Sequence, residues 1–181
     1  MVLATAAGRL EATLSQNLEI KRYCPDFRPV RSVLRQIGAR HVVTKRQVDT
    51  YFNLASEGST RFRRLKIREQ LRRAELVGYT DSYVGGLREV DYQVIQVPKT
   101  LKAVLIGALG VSAVVTKRRE LWTLPRTLFN LDTIEGVGKV FEAEVVLSEG
   151  EMTDAAERYL ELFERHLGGR IEGSNEDMVG G

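Results

Sequence analysis

Several stretches of this chain carry charge on every second residue. "RLKIRE" has Arg64, Lys66 and Arg68, and "VVTKRREL" has Lys117 and Arg119. "NLEIKRY" sets Asn17, Glu19 and Lys21 on one side, "FNLD" pairs Asn130 with Asp132, and "VFEAEVVL" carries Glu142 and Glu144. Residues two apart on an extended chain point the same way, so each stretch presents a charged face and an apolar one. Guanidinium and ammonium groups hold phosphate oxygens, Arg as a bidentate fork and Lys as a point charge. Carboxylates sharing one strand face can hold an oxygen-ligated divalent metal. The chemistry these rows predict is that of a small, highly anionic ligand with its metal ions.

Such rows act together only if other elements bring them together. Eight stretches read as strands: "NLEIKRY", "QVDTYFNL", "RLKIREQ", "AELVGYT", "DYQVIQV", "VVTKRREL", "TLFNLDTI" and "VFEAEVVL". Turn signals stand at 57–60, 84–86 and 135–139, which points to a largely antiparallel sheet or barrel. Three segments have helical periodicity. The first has Val30, Val33, Leu34 and Ile37 on one face and ends at Gly38; the second has Leu101, Val104, Leu105 and Leu109 and ends at Gly110. The third has Tyr159, Leu160, Phe163 and Leu167, with Thr153 or Asp154 as N-cap and Gly168 as the stop.

Taken singly, each charged strand face reads better as a solvated surface. Three apolar helix faces change the balance, because they need a sheet surface to cover. If they cover the apolar side of the strands, the charged side turns inward, and about eight strands suffice to close a barrel with a usable lumen. Charges there must be matched by opposite charge, metal or ligand. The expected fold is α+β: an eight-stranded antiparallel β-barrel, a tunnel with a charged lumen, flanked by outer helices.

Composition narrows the class. The 181 residues suit one domain, with 43% hydrophobic and 28% charged residues, as in ordinary globular chains. No apolar run approaches the roughly 20 residues of a membrane span, and no basic region precedes the apolar start, so no signal peptide is read. Cys24 is alone, which fits a reducing, cytoplasmic setting, and it has no His partner nearby for nucleophilic chemistry. His41 and His166 have no ligand-spaced neighbours, so any metal would have oxygen ligands. Net charge is +3, and basic clusters are answered by acidic ones, which argues against a nucleic-acid polymer as partner.

In order and spacing, "NLEIK", "QVDTYF", "RLKIRE", "KRREL" and "LDTIEGVGKVFEAEVVL" resemble the CYTH superfamily, the triphosphate tunnel metalloenzymes, which includes class IV adenylate cyclases and thiamine triphosphatases. The resemblance covers residues 17–179 as a single tunnel domain after an N-terminal segment, 1–16. It implies Mg²⁺ or Mn²⁺ held by Glu19, Glu142 and Glu144, with Asp132 a further contributor. It implies phosphate-holding roles for Lys66, Arg68, Arg88, Lys117 and Arg119, and catalytic roles for Lys21, Glu75 and Asp132. The implied activity is conversion of ATP to cyclic AMP and pyrophosphate. The alternatives are a triphosphatase acting on tripolyphosphate, thiamine triphosphate or a nucleotide, and a polyphosphate binder without turnover. A homodimer is left open.

The chain departs from the family pattern in places. Asn17 stands where the family has a first Glu, Asp81 where an Arg is common, Val90 for a Ser, and Leu128 for a base. Losing one charged phosphate contact costs about 1.5–3 kcal/mol, for which Arg72 or Arg73 are the nearby substitutes. The tail "IEGSNEDMVGG" resembles the family's closing segment with Asn175 in a Tyr place, and reads equally as a frayed end. "GVGK" lacks the Ser or Thr of a P-loop and is a hairpin turn.

Overall fold

The structure is a computed structural model that describes residues 15–54, 61–84, 87–146 and 154–179. Eight strands, β1 (Ser15–Tyr23), β2 (Arg40–Phe52), β3 (Arg64–Gln70), β4 (Arg73–Val84), β5 (Leu87–Val97), β6 (Val111–Leu124), β7 (Thr127–Ile134) and β8 (Gly138–Val146), close into one barrel. The order around it is β1-β5-β4-β3-β2-β6-β7-β8, every pair antiparallel. Strands β2 to β5 and β6 to β8 are two meanders, and β1 closes the gap between them. The connections that break the meander carry helices α1 (Phe27–Gln36) and α2 (Leu101–Leu109); α3 (Asp154–Phe163) follows β8.

Alternation sorts the faces as expected. Ile20, Phe129, Leu131, Phe141 and Ala143 point outward and pack with Val30, Leu34 and Phe163 of α1 and α3. Phe163 is fully buried and touches the rings of Phe129 and Phe141; burying one such side chain is worth about 1.5–3 kcal/mol. Asp26 caps α1 by accepting from the Arg28 amide, and Gly38 at φ 80° lets the chain leave it. Gly110 ends α2 in the same left-handed region. The N-cap expected for α3, at Thr153 or Asp154, and the turns at 57–60 and 85–86 lie outside the described residues. Gly136, at φ 78°, turns β7 into β8, so "GVGK" is a hairpin.

Two details differ from the periodicity. Helix α2 buries none of its residues fully, and Val104, expected on its packed face, is 64% exposed. Leu101, Leu105 and Leu109 alone lean on Phe52, Ile67 and Ala74, because this nine-residue helix is apolar all round and touches the barrel along one edge. The lumen is also not charged throughout. Val77, Val90, Val115, Ile134 and Val140 join Tyr51 and Tyr79 in an apolar cluster that shares its strand faces with the lumen charges.

The tail is ordered into the fold. Arg170 bridges Arg22, the Ile171 amide donates to the Lys21 carbonyl, and Ser174 and Asn175 are buried. Arg64 donates to Ser174, Glu176 and Asp177, which fixes this segment across the β3–β4 side of the barrel. No helix among the described residues is long and apolar enough to cross a membrane.

Candidate functional site

The charged faces of the strands meet in one cavity of about 160 Å³ inside the barrel. Glu19, Lys21, Lys66, Arg68, Glu75, Arg88, Lys117, Arg119, Glu142 and Glu144 all line it. Asp132 does not. It is completely buried behind the wall and accepts from Lys117 at 3.0 Å and from both Nε and Nη2 of Arg119 at 2.7 and 2.6 Å. Its place is behind two bases, as the group that orients them.

Register explains the division of charge. β1 and β8 place Glu19 opposite Glu144 and Lys21 opposite Glu142, so three carboxylates gather on that wall. β2 and β3 place Asp49 opposite Arg68. Asp49 is fully buried; Arg68 donates to both its oxygens at 2.8 Å and Lys66 donates at 3.2 Å. Asp49 lies within the quoted "QVDTYF" but was not among the expected site residues. Its signal was available: an acid on the inward face of β2, alternating with Gln47 and Tyr51. Ser174 and Asn175 also line the cavity; their placement depends on how the tail folds back, which no periodicity announces.

The bases do not share one protonation behaviour. Burial pushes the Lys66 ammonium down to about 7; Asp49 pulls the other way, while Arg68 and Lys117 crowd it. Lys117 is also lowered, by burial and then by Arg119 beside it. Lys21 is raised: burial opposes its charge, but Glu19, at 2.8 Å, and Glu142, at 3.5 Å, outweigh that. Burial would raise Asp49, yet Arg68 and Lys66 hold it well below the carboxylate range. The neighbouring acids are driven apart. Glu142 is held low because Arg119 and Lys21 overcome its burial, whereas Glu144 is raised by burial and by Glu142 and Glu19.

Whether the acidic wall fits a divalent cation is decided by its oxygens. Asn17 donates to Glu144 at 3.1 Å, but its own Oδ1 has no hydrogen-bond donor, while Oε1 of Glu19 lies 2.8 Å from the Lys21 ammonium. These are hard oxygen ligands of the kind Mg²⁺ or Mn²⁺ takes, but Glu19 is engaged by Lys21 and Arg88 and Glu142 by Arg119 and Lys21, so a cation held here would displace those bases. Among the described residues no three Asp, Glu, His or Cys side chains converge as a ready-made metal cluster. Asn17 presents a buried amide oxygen at the position where the family pattern has a carboxylate.

The other departures have structural consequences too. Asp81 pairs with Arg88 at 3.1 Å and with Arg64 at 3.5 Å, so Arg88 is held between Asp81 and Glu19. Arg72 and Arg73 sit outside the lumen at the β3–β4 turn and substitute for nothing inside it. Val90 joins the apolar strip along β4 and β5, with Val77, Tyr79, Tyr92 and Val94, on the lumen wall. Glu75 stands half-exposed beside Gln70, at 3.4 Å, across from Arg68 in register.

The barrel is shared with solved structures. A Pyrococcus horikoshii protein, PH1012, superposes with a TM-score of 0.72 at 21% identity, covering 90% of this chain and 98% of its own. A candidate adenylate cyclase from Vibrio parahaemolyticus gives 0.67 at 16% identity, with 93% and 100% covered. A Hippeastrum protein, described as a candidate adenylyl cyclase with a dominant triphosphatase activity, gives 0.59 at 17% identity, with 91% and 94% covered. At these identities the likeness is one of fold, and no curated protein matches the sequence. The CYTH domain family matches residues 15–173, which take in the whole barrel, and the chain belongs to that family.

Proposed function

We propose that the lumen binds the phosphates of a triphosphate and that the protein is a metal-dependent enzyme cleaving a phosphorus–oxygen bond there. The observation that carries this reading is the opposition inside one cavity of a basic wall, Lys66, Arg68, Lys117 and Arg119, and an acidic wall, Glu19, Glu142 and Glu144. An apolar strip beside them favours a substrate with an organic group, so the preferred reaction is that of a class IV adenylate cyclase. The ribose 3′-hydroxyl would give up its proton to water as its oxygen bonds to the α-phosphorus and the bond to the β-phosphate oxygen breaks, releasing pyrophosphate.

In this scheme Lys117 and Arg119, held by Asp132, meet the charge gathering on the leaving pyrophosphate, and Lys66 and Arg68 orient the chain in line. Glu19, Glu142 and Glu144, with the Asn17 oxygen, would hold Mg²⁺ or Mn²⁺, which supplies Lewis-acid polarisation of phosphoryl oxygens. Lys21, between Glu19 and Glu142, offsets the repulsion between these acids. The same walls would serve a triphosphatase if water replaced the ribose hydroxyl as nucleophile, since catalysis of this kind is chiefly positioning and charge stabilisation. The protein fits a cytoplasmic setting.

The test incubates purified protein with ATP, thiamine triphosphate or tripolyphosphate and either metal. Cyclic AMP with pyrophosphate is the expected result. Orthophosphate release would replace the cyclase by the hydrolase, and tight binding without product would leave a polyphosphate-binding protein.

A further inference from the structure

We propose that the free edge of β2 is a docking site for an extended acidic peptide segment of another protein, which adds there as a further strand. This edge lies outside the lumen and does not depend on what the lumen binds.

Strand β2 pairs with β6 back to Arg40, but with β3 only from Val48 onward. β3 ends at Gln70 and turns into β4, so along residues 40–47 the side of β2 away from β6 has no strand against it. Alternate backbone amides and carbonyls of this stretch point to that side, and among the described residues no backbone hydrogen bond reaches them there. An unpaired edge of this kind is a template for another strand. Residues 40–44 and Arg46 are exposed, so the faces of the stretch are accessible as well as its edge.

The edge borders a groove of about 750 Å³ whose other wall carries Leu71, Arg72 and Arg73 of the β3–β4 turn, and Lys99. Its charge is one-sided. Among the described residues no hydrogen bond or ion pair engages Lys45, Arg72 or Arg73. Arg46 reaches only the exposed Glu135, at 3.6 Å, and the one acid in the groove, Glu69, lies 2.7 Å from Lys102. Val43 and Leu71 add apolar surface, with Leu71 90% exposed. A segment bearing both carboxylate and aliphatic side chains complements this surface.

A second copy of this chain does not. Residues 40–47, "RHVVTKRQ", contain no acid. In any register two such edges set bases against bases or against neutral side chains, and like charges directly opposite destabilise a strand pair. Lys45 and Arg46 thus guard the edge against self-association. No aromatic side chain lines the groove, so single-stranded nucleic acid finds no stacking platform in it.

The experiment titrates the full chain with three capped octapeptides. One alternates Glu and Val, one has Lys in place of Glu, and one is the Glu–Val sequence with its two central amides methylated. Successive amides point to opposite edges of a strand, so the third keeps every side chain and charge but loses a donor on either edge. The Glu–Val peptide is expected to bind at least about tenfold more tightly than the other two, and to slow hydrogen exchange of amides within residues 41–47. Arg72→Glu/Arg73→Glu, on an exposed turn, should weaken it by about tenfold or more with an unchanged melting temperature. No binding of the Glu–Val peptide, or equal binding of its methylated form, would overturn the proposal. So would protection confined to residues outside 41–47. Self-association that protected these amides in the peptide-free protein would give the edge to a second copy instead. A single-stranded oligonucleotide of equal charge that bound as tightly and protected the same amides would give it to nucleic acid.

Discussion

Lys66 donates to Asp49 across the β2–β3 pair at 3.2 Å, an ion pair in which neither side chain has appreciable access to water. With an ammonium near 7, Lys66 is the base whose charge changes in the working pH range. An entering polyphosphate favours the protonated form, so binding takes up a proton and weakens as pH rises through about 7. The same depression acts on stability with the opposite sign: the unfolded chain binds the proton more tightly, so this group's contribution to stability grows from about pH 7 to about pH 10. Calorimetric titration of tripolyphosphate in buffers of different ionisation enthalpy checks the proton uptake. Lys66→Arg, always charged, should flatten the pH dependence.

Asp49 is the counter-charge for two buried bases. Replacing it by Asn leaves Lys66 and Arg68 underpaired, and breaking a buried ion pair from one side costs about 3–5 kcal/mol. Urea unfolding of Asp49→Asn should show a loss of that order. A loss within 0.5 kcal/mol or so, as for ordinary surface changes, would mean that water already shields these bases.

Glu142 and Glu144 are different tests of the metal assignment. Glu142 neutralises Arg119 at 2.6 Å and Lys21, so Glu142→Gln lowers stability as well as turnover. Glu144 is held mainly by the amides of Asn17 and Asn130, with Arg119 only at 4.0 Å. Glu144→Gln should therefore keep its melting temperature while metal-dependent turnover falls at least about 100-fold, in the range lost when metal-site residues are changed. Full activity of this variant at low metal concentration would remove Glu144 from the ligand set.

Outside the lumen, Arg31 of α1 grips Glu120 of β6 with two hydrogen bonds, at 2.9 and 2.6 Å. The Arg31 guanidinium is the main reason the Glu120 carboxyl sits below its usual range. A lowered carboxyl contributes stability that is present above the unfolded value, about 4.3, and is lost as pH falls through the folded one. Arg31→Ala should cost about 2 kcal/mol at neutral pH, less than a fully buried pair because Arg31 is partly in water, and the deficit should shrink in acid. Thermal melts across pH measure both, and triphosphate binding should not change.

The tail has its own hinge. Gly173 adopts φ 79°, its amide donates to the Tyr83 hydroxyl at 2.7 Å, and its carbonyl accepts from Lys21 at 3.2 Å. A Cβ here would run into the Asp177 carboxylate. Gly173→Ala is expected to release residues 173–179, exposing them to limited proteolysis while β1–β8 stay resistant. Equal protease resistance would show that the segment tolerates the strain.

Much of this architecture was legible because alternation is local. Whether Lys66, Lys117 or Glu144 shares a strand face with its second neighbour depends on the pleat alone, and helices that cover the apolar strand faces leave the charged ones only the inside. The strands, the outer helices and most of the charged residues gathered in the lumen follow from that, while Glu75 and Arg88 came from the family resemblance. What a base or acid does once inside depends on register between strands distant in sequence. It is the β6–β7 register that puts Asp132 behind Lys117 and Arg119, the β2–β3 register that gives Arg68 the buried Asp49, and the fold of the tail that brings Ser174 and Asn175 to the wall. Side-chain periodicity is written in a single strand, whereas register and shear are settled only when all eight strands close on one another, and closure decides which charges meet.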